Sequence, residues 1–163
     1  MPRLILLALL LASCAKPAPQ VMAFRDPAAP IYSNAVMDMG GITGDWAQAA
    51  SFASGGDCRA GAVRISQSAE GLMATGHLCL GGVDTDVTGP LVVLATGRLR
   101  AVTGPDWWVV WADTALRSLA IGTPDGRFGF ILDRTGALPA DRLEAARQVF
   151  DFNGYSVGRL QVF

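Results

Sequence analysis

Histidine occurs once in the chain, at position 77, and this scarcity excludes most metal and acid–base chemistry. His77 has no second nitrogen ligand with which to share a metal ion, and no serine or cysteine stands at a recognisable nucleophile elbow. Asp84 and Asp86 alternate along a predicted strand, which is the ordinary pattern of solvated surface charge. We therefore predict no catalytic residue, no metal site and no cofactor, with His77 as an ordinary strand residue.

An excess of positive charge is also lacking. The chain has 13 basic and 14 acidic side chains, for a formal net charge of −1. The basic residues are scattered along the sequence, whereas nucleic-acid binding needs a concentrated positive surface. We therefore exclude a nucleic-acid partner.

The apolar run over residues 4–11 is shorter than the ~20 residues that a membrane-spanning helix needs. Arg3 precedes it and small residues follow it, which is typical of a secretory signal. Leu-Ala-Ser-Cys at 11–14 matches the lipobox, the pattern at which bacterial lipoproteins receive a lipid on cysteine and are cut before it. The match predicts a signal peptide over residues 1–13 and a lipid anchor on Cys14. The alternative is a plain secretory leader with an incidental cysteine.

The residue after the predicted anchor is Ala15. In Gram-negative lipoproteins an aspartate at this position retains the protein at the inner membrane. The resemblance therefore implies the outer membrane, facing the periplasm. The Pro/Ala-rich stretch 14–38 has no periodic apolar face and predicts an extended tether. Residues 39–163 then form one predicted domain, long enough to enclose a core.

The two remaining cysteines are Cys58 and Cys79, and export would place them where a disulfide persists. Two β-rich runs, 60–65 and 72–78, flank a turn over 68–71. Pairing outward from this turn brings position 58 roughly opposite position 79, within bridging distance. We predict a Cys58–Cys79 disulfide; the alternative is two small buried thiols.

Short β-rich runs alternate with turn signals along the rest of the domain, as expected of a barrel or sandwich. The runs lie at 91–94, 97–102, 107–111, 118–122 and 129–132. One helix is predicted from Pro139 to Phe152, with helical apolar spacing and Asn153-Gly154 as its stop. A last strand is predicted over 155–163.

Three motifs in this order resemble those of the lipocalin family, and most closely the bacterial outer-membrane lipoprotein lipocalins. They are Gly-Asp-Trp at 44–46, Trp-Val-Val-Trp-Ala-Asp at 108–113 and Phe-Ile-Leu-Asp-Arg-Thr at 130–135. The resemblance implies an all-β fold, an eight-stranded antiparallel up-and-down barrel with one C-terminal helix and a closing strand. A barrel of this size can hold one small ligand.

The same resemblance assigns Gly44, Trp46 and Arg134 to the closed end of the barrel. Arg134 should lie over the Trp46 ring as a cation–π contact worth ~0.5–2 kcal/mol, with a structural role. Two departures from the family pattern are Ala47, where an aromatic is common, and 114–116, where a tyrosine is often found. The first half also resembles small β-barrel inhibitors of bacterial metalloproteases, which lack the final helix and strand.

Strand alternation and the lipocalin frame together predict which side chains face a ligand. We expect the following to point into the barrel: Trp107, Val109, Trp111, Ala120, Gly122, Phe130 and Leu132. Such a lining is apolar and aromatic and suits an acyl chain. The implied function is a lipid-anchored periplasmic lipocalin that binds or carries a fatty acid or lysophospholipid for envelope maintenance. The alternative is an envelope lipoprotein with a packed barrel that acts as a protease inhibitor or as a structural or interaction module.

Overall fold

The computed structural model describes residues 23–163. The predicted signal peptide, the predicted anchor Cys14 and the first part of the predicted tether lie outside the described residues. The strands are β1 Gly44–Phe52, β2 Ala62–Ser68, β3 Gly71–Leu80, β4 Val83–Asp86, β5 Gly89–Ala95, β6 Arg98–Ala101, β7 Trp107–Ala112, β8 Ser118–Gly122, β9 Gly129–Asp133 and β10 Leu160–Val162. The helix α1 spans Ala140–Phe152, and 3₁₀ turns span Gly40–Ile42 and Val157–Arg159.

The strands form one antiparallel sheet in sequential order that closes on itself where β1 pairs with β9. β4 and β5 both pair with β3 and together act as one interrupted strand. The barrel formed by β1 to β9 therefore has eight strands. β10 adds to the outer part of β1, where Phe52 pairs with Leu160. The predicted eight-stranded antiparallel barrel with one C-terminal helix is confirmed.

β8 and β9 are buried along their whole length, on both faces. One face lines the barrel, and the other is covered by α1, whose Ala146 and Phe150 are buried. Phe150 meets Phe52 edge to face at 5.0 Å between ring centroids. The helix follows Pro139, which lies at its N-cap in extended conformation, and it ends before Asn153 as predicted. Packing of this apolar stripe fixes the helix against the barrel wall.

The closing strand is shorter than predicted, because only Leu160–Val162 pairs with β1. Tyr155 instead turns its ring into the cluster beneath α1, where its hydroxyl accepts a hydrogen bond from Thr123 N at 2.8 Å. The following 3₁₀ turn brings the chain to the sheet edge. Burial and hydrogen bonding of Tyr155 therefore override its strand propensity.

Residues 24–38 pack on the barrel, and most of them lie outside its interior. Phe24 N donates to Gly126 O at 2.7 Å, and the buried Arg25 donates from Nε to Asn153 O at 3.0 Å. Asn34 N then donates to Val109 O at 2.7 Å, and Met37 reaches the interior cluster. Residues 24–38 of the predicted tether are thus an ordered segment, the strap. Its composition is similar to that of a flexible linker, so composition alone does not predict this order. The domain limits at residues 14 and 39 stay a prediction.

Candidate ligand-binding site

Residues that pair directly across neighbouring strands share a face of the sheet. Val109 pairs with Ile121, and Ile121 pairs with Phe130, so these three side chains point to one side. All belong to the cluster that fills the barrel. The buried members of this interior cluster are Met37, Ile42, Trp46, Val63, Ile65, Leu72, Ala74, Leu78, Leu80, Val87, Leu91, Leu99, Trp107, Val109, Leu119, Ile121, Phe130 and Leu132. The interior is therefore apolar over most of its surface.

Four of the side chains that were expected to face a ligand do lie in this interior: Trp107, Val109, Phe130 and Leu132. Trp107 and Phe130 meet edge to face, with ring centroids 5.4 Å apart. Each of these side chains is at most 1% exposed. Strand alternation on β7 and the motif resemblance on β9 therefore identified four side chains that lie inside the barrel, and their contact with a ligand stays a prediction.

Trp111, Ala120 and Gly122 do not face the interior. The β7–β8 register shifts between Val109 and Trp111, and this bulge turns Trp111 to the outer cluster beside its partner Ala120. Gly122 also faces outward, because a Cβ there would lie 2.9 Å from the Tyr155 hydroxyl. The prediction for these three residues is wrong. Since β8 is apolar on both faces, its sequence shows no alternation from which to read the inward side.

Sequence reasoning missed the β8 residues that do point inward, Leu119 and Ile121. The signal that could have found them is the register to β9. Leu119 pairs with Leu132 and Ile121 with Phe130, the two residues placed inside by the motif resemblance. A register cannot be read from either strand alone.

The base of the barrel is closed by Trp46 and Arg134. The Arg134 guanidinium lies 3.6 Å from the Trp46 ring centroid, so the predicted cation–π contact is present. Trp46 is 1% exposed and donates from Nε1 to Ile42 O at 2.8 Å. Gly44 has φ +112°, and a Cβ there would lie 2.7 Å from Arg134 Nη1. Glycine at this position therefore admits both the turn and the guanidinium.

Arg134 also ties the base together through hydrogen bonds. It donates from Nη2 to Gly41 O at 2.8 Å and from Nη1 to Asp45 O at 3.2 Å. Burial lowers the pKa of Arg134, and the nearby Asp45 carboxylate opposes that shift. The guanidinium holds the 3₁₀ turn and the first strand in one arrangement.

A second charged network lies outside the barrel, between the wall and α1. Asp133 Oδ2 accepts from Ser118 Oγ at 2.6 Å and from Arg142 Nη1 at 2.9 Å. Burial would raise the pKa of Asp133, but the hydrogen bonds from Ser118 and Thr135 and the Arg142 charge outweigh it and lower the pKa. This network fastens the helix to the barrel and does not reach the interior.

The opposite end of the barrel carries the disulfide. Cys58 and Cys79 are bonded, with Cα atoms 5.8 Å apart, as predicted. The β2–β3 ladder ends at Ala62 and His77, so Cys58 lies in the loop beyond it and not in a paired strand. Ala53 in this loop forms a parallel bridge with Gly81. The loop is thus fastened at the mouth of the barrel.

His77 is exposed on β3, with Nδ1 3.7 Å from Asp84 Oδ1. Over residues 23–163 there is no group of three or more His, Cys, Asp or Glu side chains that could hold a metal ion. In the same part of the chain no helix has the length and apolar character that crossing a membrane requires.

A cavity of about 310 Å³ opens at the base between the β2–β3 hairpin and β5. Its wall combines interior residues, Leu72 and Leu91, with polar residues at the rim, Gln67 and Glu70. Sequence reasoning gave no signal for it, because it depends on the spacing between two hairpins.

A closed eight-stranded barrel, a base sealed by tryptophan and arginine, and a helix packed on the wall define the lipocalin fold. Solved structures share it. They include lobster apocrustacyanin A1, with a TM-score of 0.56 at 12% identity, covering 82% of this chain and 88% of that one. The cockroach allergen Per a 4 gives a TM-score of 0.60 at 11% identity, covering 84% and 94%.

Insecticyanin from the tobacco hornworm Manduca sexta gives a TM-score of 0.56 at 13% identity, covering 82% of this chain and 83% of that one. Identities this low show the shared fold alone. No protein-family model matches the chain, and no curated protein matches it significantly. The final helix and strand that distinguish lipocalins from the inhibitor barrels are both present.

Proposed function

We propose that this chain is a lipid-anchored lipocalin of the periplasmic face of the outer membrane, and that it binds or carries a small hydrophobic ligand. The ligand class is fatty acid or lysophospholipid, and the role is envelope maintenance. One observation carries the proposal: the interior is lined by apolar side chains and closed at its base by the Trp46–Arg134 contact. An apolar interior of this kind favours a lipophilic ligand over a polar one.

The position of Phe24 supports the membrane part of the proposal. Phe24 N binds Gly126 O in the β8–β9 loop, and the Phe24 ring lies beside Gly81 in the β3–β4 turn. Both of these connections are at the mouth, opposite Trp46. Phe24 lies ten positions after Cys14, which limits the reach of an extended chain between them to ~35 Å. A lipid on Cys14 would therefore lie within this distance of the mouth, which we propose is the end at which a membrane-derived ligand is exchanged.

Ligand binding is tested by native mass spectrometry and lipid extraction of the full chain carrying Cys14→Ser, exported to a bacterial periplasm. Residues from Phe24 onward must be kept, because Phe24 is only 3% exposed. We expect one bound acyl species per chain. A mass that stays that of the protein alone after lipid is added would contradict the carrier function.

A matched pair of variants locates the ligand. Ala74 is fully buried in the interior cluster, whereas Ala95 is exposed on β5. Ala74→Phe should abolish the bound acyl species, while Ala95→Phe should retain it. Overpacking a core typically costs ~1–3 kcal/mol, so circular dichroism must show that the Ala74 variant is folded. Equal loading of the two variants would place the ligand outside the barrel.

The anchor is tested separately by labelling cells with an alkyne-bearing palmitate analogue. Label should appear on the wild-type chain and vanish in Cys14→Ser. Sucrose-gradient fractionation should place the labelled protein with the outer membrane. Label that persists in the variant, or fractionation with soluble periplasmic proteins, would remove the anchored part of the proposal.

A further inference from the structure

Trp107 carries an unusual polar group. Over residues 23–163, its Nε1 is the single buried side-chain nitrogen or oxygen without a hydrogen-bond partner. The residue is 1% exposed and belongs to the interior cluster. Leaving a buried donor unpaired typically costs about 1–3 kcal/mol. The cost falls inside the barrel, where a ligand is proposed to lie.

Neighbouring protein groups do not relieve this donor. The Phe130 ring, 5.4 Å away between centroids, offers at most the weak acceptor of an aromatic face. Two buried polar side chains of β1, Gln48 and Ser51, are both engaged at Cys79. Gln48 donates to Cys79 O at 2.8 Å and Ser51 donates to the same oxygen at 2.7 Å. The other buried tryptophan, Trp46, is satisfied by Ile42 O.

The depth of Trp107 suits an amphiphile. Trp107 is the first residue of β7 and directly follows the loop over 102–106 at the mouth, while Trp46 closes the base. Val109 lies one inward position deeper on the same strand. A hydrocarbon tail would therefore extend toward Trp46, and the first polar group of the ligand would come level with Trp107.

The charge of that polar group follows from the surroundings. The buried charged side chains of the described chain are Arg25, Asp113 and Asp133. Arg25 binds Asn153 O outside the barrel, Asp113 binds Ser118 N at the base, and Asp133 binds Arg142 under the helix. None supplies a cation to the interior. A buried ionised carboxylate beside a single neutral donor would be strongly destabilised.

We propose that Trp107 Nε1 is the polar anchor of the barrel, and that it donates a hydrogen bond to an uncharged acceptor, such as an ester carbonyl, on a hydrocarbon-chain ligand. This inference rests on the proposed function and narrows it. Within the proposed class, an acyl ester is preferred over an ionised fatty acid. Trp107 acts in ligand recognition and selectivity.

Displacement of the fluorescent probe N-phenyl-naphthylamine tests this preference on the full chain carrying Cys14→Ser. The competitors are methyl decanoate, decanoate at alkaline pH and decene, which share chain length but differ in the acceptor. The variant Trp107→Phe removes the donor and keeps an aromatic ring. Trp108→Phe is the control, because Trp108 faces outward beneath Arg98, 4.0 Å from the guanidinium.

We expect Trp107→Phe to lower the affinity for methyl decanoate about two- to tenfold, which is the net effect of one uncharged hydrogen bond. Decene should bind both proteins equally, and Trp108→Phe should leave all affinities unchanged. Decanoate should bind the wild-type protein more weakly than methyl decanoate does. Its binding should become tighter as the pH falls toward the pKa of decanoic acid. An equal loss of affinity for methyl decanoate and decene in Trp107→Phe would overturn the proposal, because that pattern indicates lost packing and not a lost hydrogen bond.

Nuclear magnetic resonance of the indole N–H groups gives a readout that does not depend on the variant being stable. The chain has four tryptophans, hence four indole signals, and the Trp107 signal is identified by sequential assignment. Its proton should shift downfield with methyl decanoate and not with decene. The same shift with both would overturn the inference. Failure of every competitor to displace the probe would instead contradict the proposed function.

Discussion

Replacing Arg134 by methionine tests whether the base of the barrel is held by the guanidinium. Methionine keeps the apolar stem and removes the charge. The variant loses the contact to Trp46 at 3.6 Å, worth about 1–2 kcal/mol when partly desolvated. It also loses the charged hydrogen bond to Gly41 O at 2.8 Å, worth about 1.5–3 kcal/mol. Allowing for water reaching the freed carbonyl, we expect a loss of about 3 kcal/mol.

The assay is urea unfolding followed by circular dichroism, compared with Arg98→Met. Arg98 also covers a tryptophan, Trp108, at 4.0 Å, but on the outer face of the barrel. Its replacement should cost about 1 kcal/mol or less. With a slope of about 2 kcal/mol/M, the Arg134 variant should lower the urea midpoint by about 1.5 M. If both variants shift the midpoint equally, the base is not held by Arg134 and the reasoning fails.

Three further predictions concern parts of the domain outside the interior. Replacing both Cys58 and Cys79 by serine should lower the free energy of unfolding by about 3 kcal/mol, because the disulfide closes a loop with a sequence separation of 21. Urea unfolding with and without reductant checks this. Equal midpoints for the variant and the oxidised wild type would contradict it. The pKa of Asp133 in the folded state lies below its ordinary 3.8. Ionised Asp133 should therefore stabilise the folded domain above pH 3.8, and this stabilisation should be lost as the pH falls through the folded-state pKa. Acid unfolding of Asp133→Asn should show a weaker pH dependence below about pH 4 than wild type, and identical curves would refute the assignment. Phe24→Ala should destabilise the domain by about 3 kcal/mol, since the ring is buried beside Phe52; an unchanged thermal midpoint would show that the strap is not part of the fold.

Most strands could be predicted because turn residues separate short β-rich runs. β8 was predicted with the bounds that the structure shows, and the start and end of α1 followed from Pro139 and Asn153. The strap over 24–38 could not be predicted. Phe24 and Arg25 are single residues in a Pro/Ala-rich stretch, and their burial depends on Gly126 and Asn153, which lie more than 100 positions away.

The positions of site residues could be predicted where those residues belong to a family motif. Trp46 and Arg134 were placed together by family resemblance, and their contact is present. Inward positions on β7 were predicted only up to Val109, because the bulge before Trp111 inverts the alternation. On β8 the two apolar faces gave no periodic signal, so Ala120 was placed inside although it packs under the helix.

The sequence by itself predicted an all-β domain from its turn residues and the cysteine pair from the position of one hairpin. Its three motifs, through their resemblance to the lipocalin family, predicted the eight-stranded barrel and the tryptophan–arginine closure. Tertiary structure alone decided which face of β8 is inside, that residues 24–38 run along the wall, and that the Trp107 donor has no protein partner. These features depend on strand register and on contacts between distant residues. A one-residue change of register moves every side chain of a strand to the other face, and no local pattern on a strand that is apolar on both faces records which register is adopted.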